Sequence, residues 1–296
     1  EIMKLILDAK LIKKNPKAYA STLKDKTLLM LFEKPSLRTR LSFEVGMTQM
    51  GGHAIFYSIK DSPLGKKETV SDTAKVASRF VDVIMARTYM HSDVEELAKH
   101  SSVPVINALS NFAHPCQILS DMLTIEEKGK NIEKFKLAFF GDCNNNITHD
   151  LMYAAGVMGF EIAVCCPKGE QFEPQKKVVE ETKEFCSKSG GKLLISHEAK
   201  QAAAGADIIY ADTWMGYHVP DNEKEARLKA LQQYQVNSKV MAMAKKDAIF
   251  MNCLPAMRGY EQTADIIDGP QSVVFDQAEN RLHMQKAILL YLLSNI

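Results

Sequence analysis

The residues best suited to do chemistry fall in one short stretch, Phe32-Glu33-Lys34-Pro35-Ser36-Leu37-Arg38-Thr39-Arg40. An apolar run, TLLMLF, precedes it and is closed by Pro35. Ser36 is suited to cap a helix, and Leu41, Phe43, Val45, Met47 and Met50 are dense enough for that helix to be buried. Two guanidiniums (Arg38, Arg40) and two hydroxyls (Ser36, Thr39) therefore gather where a helix start already offers unpaired N–H donors and a partial positive charge. The chemistry that suits such a set is capture of a dianion such as phosphate. The same residues also make a plain capped helix whose arginines face water, and the stretch by itself leaves both readings open.

Other polar residues recur at the ends of apolar runs. Arg87 closes VIMAR, Gly141-Asp142-Cys143-Asn144-Asn145-Asn146 follows KLAFF, Asp212 follows IIYA, and Asn252-Cys253 follows AIFM. Taken singly, each suits a turn or a cap. In open α/β sheets, however, ligands bind beyond the carboxyl ends of strands, and the whole set then reads as a phosphate site on one domain and an amine-facing carboxylate on the other. His114 opens HPCQ with Pro115 at a favoured first-turn position; its imidazole suits a cap or a carbonyl-polarising donor. Cys253 suits a small core residue, or a nucleophile if a base lies beside it. The asparagine loop lacks G-x-G-x-x-G spacing, but its amides offer paired donors and acceptors to a small zwitterion.

The elements that must position these groups are legible. The runs LLMLF, AIFYS, VIMAR, VPVINA, KLAFFG, EIAVCCP, KLLIS, DIIYAD and AIFMN alternate with helical patterns such as Val70 to Phe80 and Val94 to His100. This predicts an α/β fold of largely parallel sheets covered on both faces. The helical pattern from His114 to Lys130 is a natural connector between two halves, and the Leu/Ile-rich pattern from Ala278 to Ile296 needs a partner surface on the first half. A chain of 296 residues suffices for two domains.

With 37 basic against 36 acidic side chains, the formal charge of +1 argues against a broad nucleic-acid or membrane-surface footprint. No apolar run reaches the roughly 18 to 20 residues that span a bilayer, and the opening EIMKLILDAKLIKKNPK is a charged amphipathic pattern without a signal-peptide core. The expectation is a soluble cytoplasmic protein without nucleic-acid or membrane partners. Six cysteines form no C-x-x-C pair, which predicts reduced thiols and no metal; Cys165, Cys166 and the methionine-rich helices read as core.

In order, SLRTR, MAR, HPCQ, GDCNNNITHDLM, DTW, NCLP and FDQAENRLHMQKA resemble the aspartate and ornithine carbamoyltransferase superfamily, and within it the ornithine branch, from about Thr27 onward. The resemblance implies two α/β domains with the active site in the cleft between them. Residues 1–132 would bind carbamoyl phosphate, with a helix at about 279–296 packing back onto them, and residues 133–278 would bind the amino acid. The implied reaction is carbamoyl transfer from carbamoyl phosphate to the side-chain amine of L-ornithine, giving L-citrulline and phosphate, or the reverse, without metal or organic cofactor.

Carried over by residue, Ser36, Leu37 (through its backbone), Arg38 and Thr39 would hold phosphate. Arg87 would bridge phosphate and carbonyl oxygen, His114 and Gln117 would hold the carbamoyl group, and the Leu254 carbonyl and Arg281 would complete that site. Asn146, or Asn145 given the extra residue in CNNN, would orient the amino-acid end of ornithine. Asp212 and Cys253 would meet its side-chain amine, with Gly216 and Tyr217 in the α-group segment. Arg87, His114, Asp212 and Cys253 would be the catalytic set. The resemblance also implies a homotrimer, or a multiple of one, and a chain that begins inside the family's first helix.

Four positions depart from the family pattern. Gly216-Tyr217-His218 follow Met215 where ornithine enzymes continue D-x-W with Ser-Met-Gly; Asn252 replaces a His; Leu37 replaces a Thr; and Pro63, in the Asp61 to Gly65 loop, stands where ornithine enzymes often carry a His that reaches a neighbouring subunit's site, so that help across subunits there is either absent or supplied by Lys66 or Lys67. The first departure opens a second acceptor, a diamine such as putrescine. A third class, an inactive ligand-binding relative, is opposed by the retention of Arg38, Arg87, His114, Asp212 and Cys253.

Overall fold

The computed structural model describes residues 1–59, 68–216 and 219–294. The chain divides into two compact units, Glu1–Leu123 with Glu279–Ile296, and Thr124–Ala278. Each of the nine apolar runs forms a strand.

The first unit runs α1 (Ile2–Lys14), β1 (Thr27–Phe32), α2 (Leu37–Gln49), β2 (His53–Ser58), α3 (Val70–Ala77), β3 (Val83–Arg87), α4 (His91–His100), β4 (Val105–Leu109) and α5 (Pro115–Glu127), which ends in the second unit. Its sheet is parallel with strand order β2-β1-β3-β4. The chain leaves β1 toward one edge and returns through β3 on the other side, so the carboxyl ends of β1 and β3 flank a topological switch point. The register sets Phe32 opposite Arg87, and Glu33 N donates to the Arg87 carbonyl at 2.9 Å.

One expectation needs correction here. Helix α2 is buried on one side only: Thr39, Phe43 and Met47 point inward, whereas Leu41 is 50% exposed. Its period of 3.6 residues places Leu37, Leu41 and Val45 on a common stripe away from the sheet. The sheet is parallel and flanked by helices as the sequence predicts, and its edge strand β2 leaves Ile55, Phe56 and Tyr57 exposed.

The second unit continues with β5 (Lys136–Phe140), α6 (Asn146–Met158), β6 (Glu161–Cys165), α7 (Lys176–Ser189), β7 (Lys192–Ser196), α8 (Ala199–Ala203), β8 (Ile208–Ala211), α9 (Lys224–Leu231), α10 (Ser238–Met243), β9 (Ile249–Met251) and α11 (Ala264–Ile267). Helix α12 (Val274–Leu293) starts in this unit and ends in the first. The sheet is again parallel, β7-β6-β5-β8-β9, with its switch point between β5 and β8. Buried alanines, Phe140, Ile209 and Phe250 fill its core. Cys165 and Cys166 are fully buried, and all six cysteines are free thiols. No described helix is long and apolar enough to cross a membrane.

The two sheets share a device at their amino ends. Asp82, just before β3, accepts from Thr27 N at 2.8 Å and from Lys26 Nζ at 3.1 Å. Asp207, just before β8, accepts from Lys136 N at 2.9 Å and from Lys245 Nζ at 2.7 Å. Each carboxylate ties the first N–H of a central strand to its neighbour, satisfying a donor that the ladder leaves over.

Candidate functional site

In the first unit the polar residues converge on the start of α2. Ser36 has extended backbone (φ −160°), and its Oγ accepts from Thr39 N at 3.3 Å, a side-chain N-cap. Leu37 is the first helical residue; its side chain is exposed, so only its backbone belongs to this helix start. Thr39 is buried and its hydroxyl accepts from Arg281 Nη2 at 3.3 Å. Arg281, on α12, is 2% exposed, and its Nη1 donates to Gln117 Oε1 at 2.7 Å while Gln117 Nε2 donates to Asp121 Oδ1 at 2.9 Å. A cation at its oxygen and a carboxylate at its nitrogen thus fix the orientation of the Gln117 amide.

Arg87, at the end of β3, and His114, just before α5, are both buried. Burial, and then the charges of Arg281, Arg87 and Arg38, hold the His114 imidazole well below its ordinary pKa of 6.5. At neutral pH it is an uncharged ring able to donate one hydrogen bond. Buried Lys34 adds a further cation, its ammonium 4.5 Å from the centre of the Tyr89 ring; burial and then Arg87 lower its pKa, with Glu33 opposing. A helix start with this density of buried cations suits a dianion. Arg40, which the sequence grouped with the anion cluster, is not part of it. It is exposed on the outer face of α2, with Nε donating to Glu44 at 3.0 Å and its guanidinium 3.8 Å from the centre of the Phe56 ring.

In the second unit the loops after β5, β8 and β9 carry the remaining candidates. Asn145 is the N-cap of α6: its Oδ1 accepts from Thr148 N at 2.8 Å and its Nδ2 donates to the Asp142 carbonyl at 2.7 Å. Both ends of that amide are used in building the loop. Asn146 is the first residue of α6. Asp212 is 7% exposed and accepts from Cys253 Sγ at 3.1 Å, joining the ends of neighbouring strands β8 and β9.

Burial raises the Asp212 carboxyl to about 6, with Glu261 and Asp142 adding to the rise and hydrogen bonds from Cys253 and Thr213 N opposing it. Asn252 is fully buried; its Oδ1 accepts from Leu254 N at 2.8 Å and its Nδ2 donates to Gln262 at 3.1 Å. Leu254 itself is in a left-handed conformation (φ +57°), followed by a cis peptide to Pro255. Met215 and Gly216 are half-buried. Tyr217 and His218, and Pro63, Lys66 and Lys67, lie outside the described residues.

Two family descriptions match the chain. "Aspartate/ornithine carbamoyltransferase, carbamoyl-P binding domain" spans residues 1–127, and "Aspartate/ornithine carbamoyltransferase, Asp/Orn binding domain" spans residues 133–292. The chain is 49% identical over 276 residues to an ornithine carbamoyltransferase of Pyrococcus horikoshii, covering 93% of this chain and 85% of that one. The chain belongs to the aspartate/ornithine carbamoyltransferase family. An ornithine carbamoyltransferase of Methanococcus maripaludis is 44% identical over 293 residues, covering 99% of this chain and 95% of its own. The solved ornithine carbamoyltransferase of Pyrococcus furiosus superposes with a TM-score of 0.95 at 46% identity, covering 100% of this chain and 94% of that one.

Family motifs direct attention to residues that would touch a ligand and pass over those that hold them. Glu261, fully buried, accepts from Trp214 N at 3.1 Å and from Met257 N at 2.8 Å. Arg227 pairs with Asp142 and donates from Nε to the Trp214 carbonyl at 2.6 Å. Neither stands in a distinctive spacing, and a charged residue in a polar helix or loop gives no sequence signal of burial. Lys34 lies in the opening stretch, but only its burial marks it out.

Proposed function

We propose that this chain transfers the carbamoyl group of carbamoyl phosphate to the side-chain amine of L-ornithine, giving L-citrulline and phosphate. The phosphate rests on the start of α2, held by Ser36, the Leu37 N–H, Arg38 and Thr39. Arg87 spans phosphate and carbonyl oxygen, His114 and Gln117 hold the carbamoyl group, and the Leu254 carbonyl receives its nitrogen. Arg281 acts on this site through Gln117 and Thr39, to which it is bonded.

Asp212 and Cys253 receive the amine, and Asn146 takes the amino-acid end, because the Asn145 amide is occupied as a cap. The ammonium releases one proton to solvent, its nitrogen attacks the carbonyl carbon, the bond from that carbon to the phosphate oxygen breaks, and the second proton of the nitrogen leaves with the phosphate. Charge grows on the carbonyl oxygen and then on the departing phosphate, where fixed Arg and N–H donors stabilise it. His114, kept neutral, contributes a hydrogen bond there rather than a charge.

The observation that carries this reading is the Asp212–Cys253 pair: a buried carboxylate at a sheet switch point, bonded to a thiol, is matched to a primary ammonium. It is tested by a ureido-product assay at saturating carbamoyl phosphate with L-ornithine, putrescine and L-lysine as acceptors. The highest kcat/KM is expected for L-ornithine. A higher value for putrescine would replace the substrate, and no product from any acceptor would remove the reaction.

Self-association into a trimer belongs to the same proposal. Leu37 and Leu41 on α2 and Ile55, Phe56 and Tyr57 on β2 are exposed on the first unit, and a groove of about 580 Å³ runs along α2 beside Leu37, Leu41 and Val45. Exposed apolar patches on a long edge strand are seldom left uncovered. Leu41→Glu is expected to lower the sedimenting mass to that of a monomer, and a wild type that sediments at 33.1 kDa would refute the trimer.

A further inference from the structure

The carboxyl-end loops of β5, β8 and β9 are joined by two charged side chains that act on one residue, the fully buried Glu261 and the half-buried Arg227. Glu261 accepts the Trp214 N–H through Oε1 and the Met257 N–H through Oε2, so a single carboxylate ties the loop after β8 to the loop after β9. The Thr213 hydroxyl accepts from Met215 N at 3.3 Å within the same loop. From the opposite side, Arg227 on α9 donates Nε to the Trp214 carbonyl and a terminal nitrogen to Asp142, in the loop after β5.

The peptide groups on both sides of Trp214 are therefore held by ionic partners. The indole itself is fully buried and packs on Gly141, where an added Cβ would lie 2.8 Å from Nε1 and where φ is +126°. Asp212 lies two residues before Trp214, and Met215 and Gly216 follow directly.

We infer that Glu261 and Arg227 are positioning residues for the amine substrate, clamping the Trp214 backbone so that Asp212 before it and Met215-Gly216 after it are held in register with Cys253. A buried carboxylate is expensive to desolvate, and burial raises the pKa of Glu261 despite donors from Met257 and Trp214. A core that needed stability alone would be served as well by apolar packing. The clamp orients three loops by charge-assisted bonds of fixed direction, which apolar packing does not provide. The inference rests on the proposed transfer to an amine, and its readouts separate the two.

The test uses Arg227→Ala, Glu261→Ala and Glu261→Gln in the full chain, with kcat and KM determined for each substrate at saturating levels of the other. The KM for L-ornithine is expected to rise at least tenfold in both alanine variants while that for carbamoyl phosphate stays within threefold. Glu261→Gln, which keeps a carbonyl oxygen as acceptor, is expected to recover part of the loss. The chain has a single tryptophan, so its emission reads the clamp directly and should shift to the red in both alanine variants.

An unchanged ornithine KM, or an equal rise in both KM values, would overturn the clamp. If an alanine variant does not fold by circular dichroism, Glu261→Gln and Arg227→Lys carry the same comparison. If wild type makes no citrulline, the transfer proposal fails, and the clamp is then judged by the emission of the single tryptophan.

Discussion

Arg87→Ala is expected to lower kcat/KM for carbamoyl phosphate by two to three orders of magnitude. Arg87 closes β3, buried, opposite Phe32 in the sheet and fixed by the hydrogen bond from Glu33 N to its carbonyl. A guanidinium delivered by a sheet backbone does not need to reorganise when charge moves onto the carbonyl oxygen and the phosphate, which is the condition under which such a donor is most effective. Losing one preorganised donor of this kind commonly costs about 3 to 4 kcal/mol of transition-state stabilisation. Arg87→Lys is expected to recover little, because an ammonium cannot span two oxygens in the fork geometry of a guanidinium. Unfolding should change little, since the variant removes a buried cation from beside Lys34 and His114, whose pKa values both fall in its presence. An alanine variant within threefold of wild type would end the role assigned to Arg87.

Asp212→Asn is expected to make the protein both less active and more stable at pH 8. Capture of an ammonium needs the carboxylate, so kcat/KM for L-ornithine should fall at least a hundredfold while carbamoyl-phosphate binding is retained. Burial raises this carboxyl from its ordinary 3.8 to about 6. The folded protein therefore favours the neutral acid: the stabilising contribution is complete below pH 3.8 and is lost as pH rises through about 6. At pH 8 the wild type carries an ionised, desolvated group at a cost on the order of 2 to 3 kcal/mol, and asparagine removes it. Thermal unfolding should show the variant more stable at pH 8, with the difference closing toward pH 4. The same titration predicts that wild-type kcat/KM for ornithine declines below pH about 6. A variant destabilised at pH 8, or one that loses both substrates equally, would contradict the assignment.

Much of this was legible in the sequence because the physics is local. The nine apolar runs became strands, and the residues at the ends of VIMAR, KLAFF, IIYA and AIFM stand at the carboxyl ends of strands that flank the two switch points or adjoin them. Helix phase was harder to read. In α2, Thr39 and Phe43 turn inward while Leu41 and Arg40 turn outward, because composition reports apolar content while burial depends on which side faces the sheet. The Asn145-Asn146 ambiguity was a question of which residue caps α6, and capping geometry is set by a φ value that sequence does not state. Glu261 and Arg227 were invisible for a related reason: the Trp214 and Met257 groups they hold are backbone atoms in distant loops, which have no residue type to read, and Asp142, the side-chain partner of Arg227, is 85 residues away.

The carboxylates at the amino ends of both sheets, Asp82 and Asp207, bear on how this enzyme could be re-engineered. They lie on the far side of each sheet from the groups assigned to chemistry, at the opposite ends of the same strands. One rim of each sheet is the workshop and the other is the foundation. Thermal tolerance can be sought by rewriting the neighbours of Lys26, Asp82, Asp207 and Lys245 while turnover is left alone. Directed evolution of the acceptor can be confined to the opposite rim, with a foundation that does not have to be renegotiated for each new substrate.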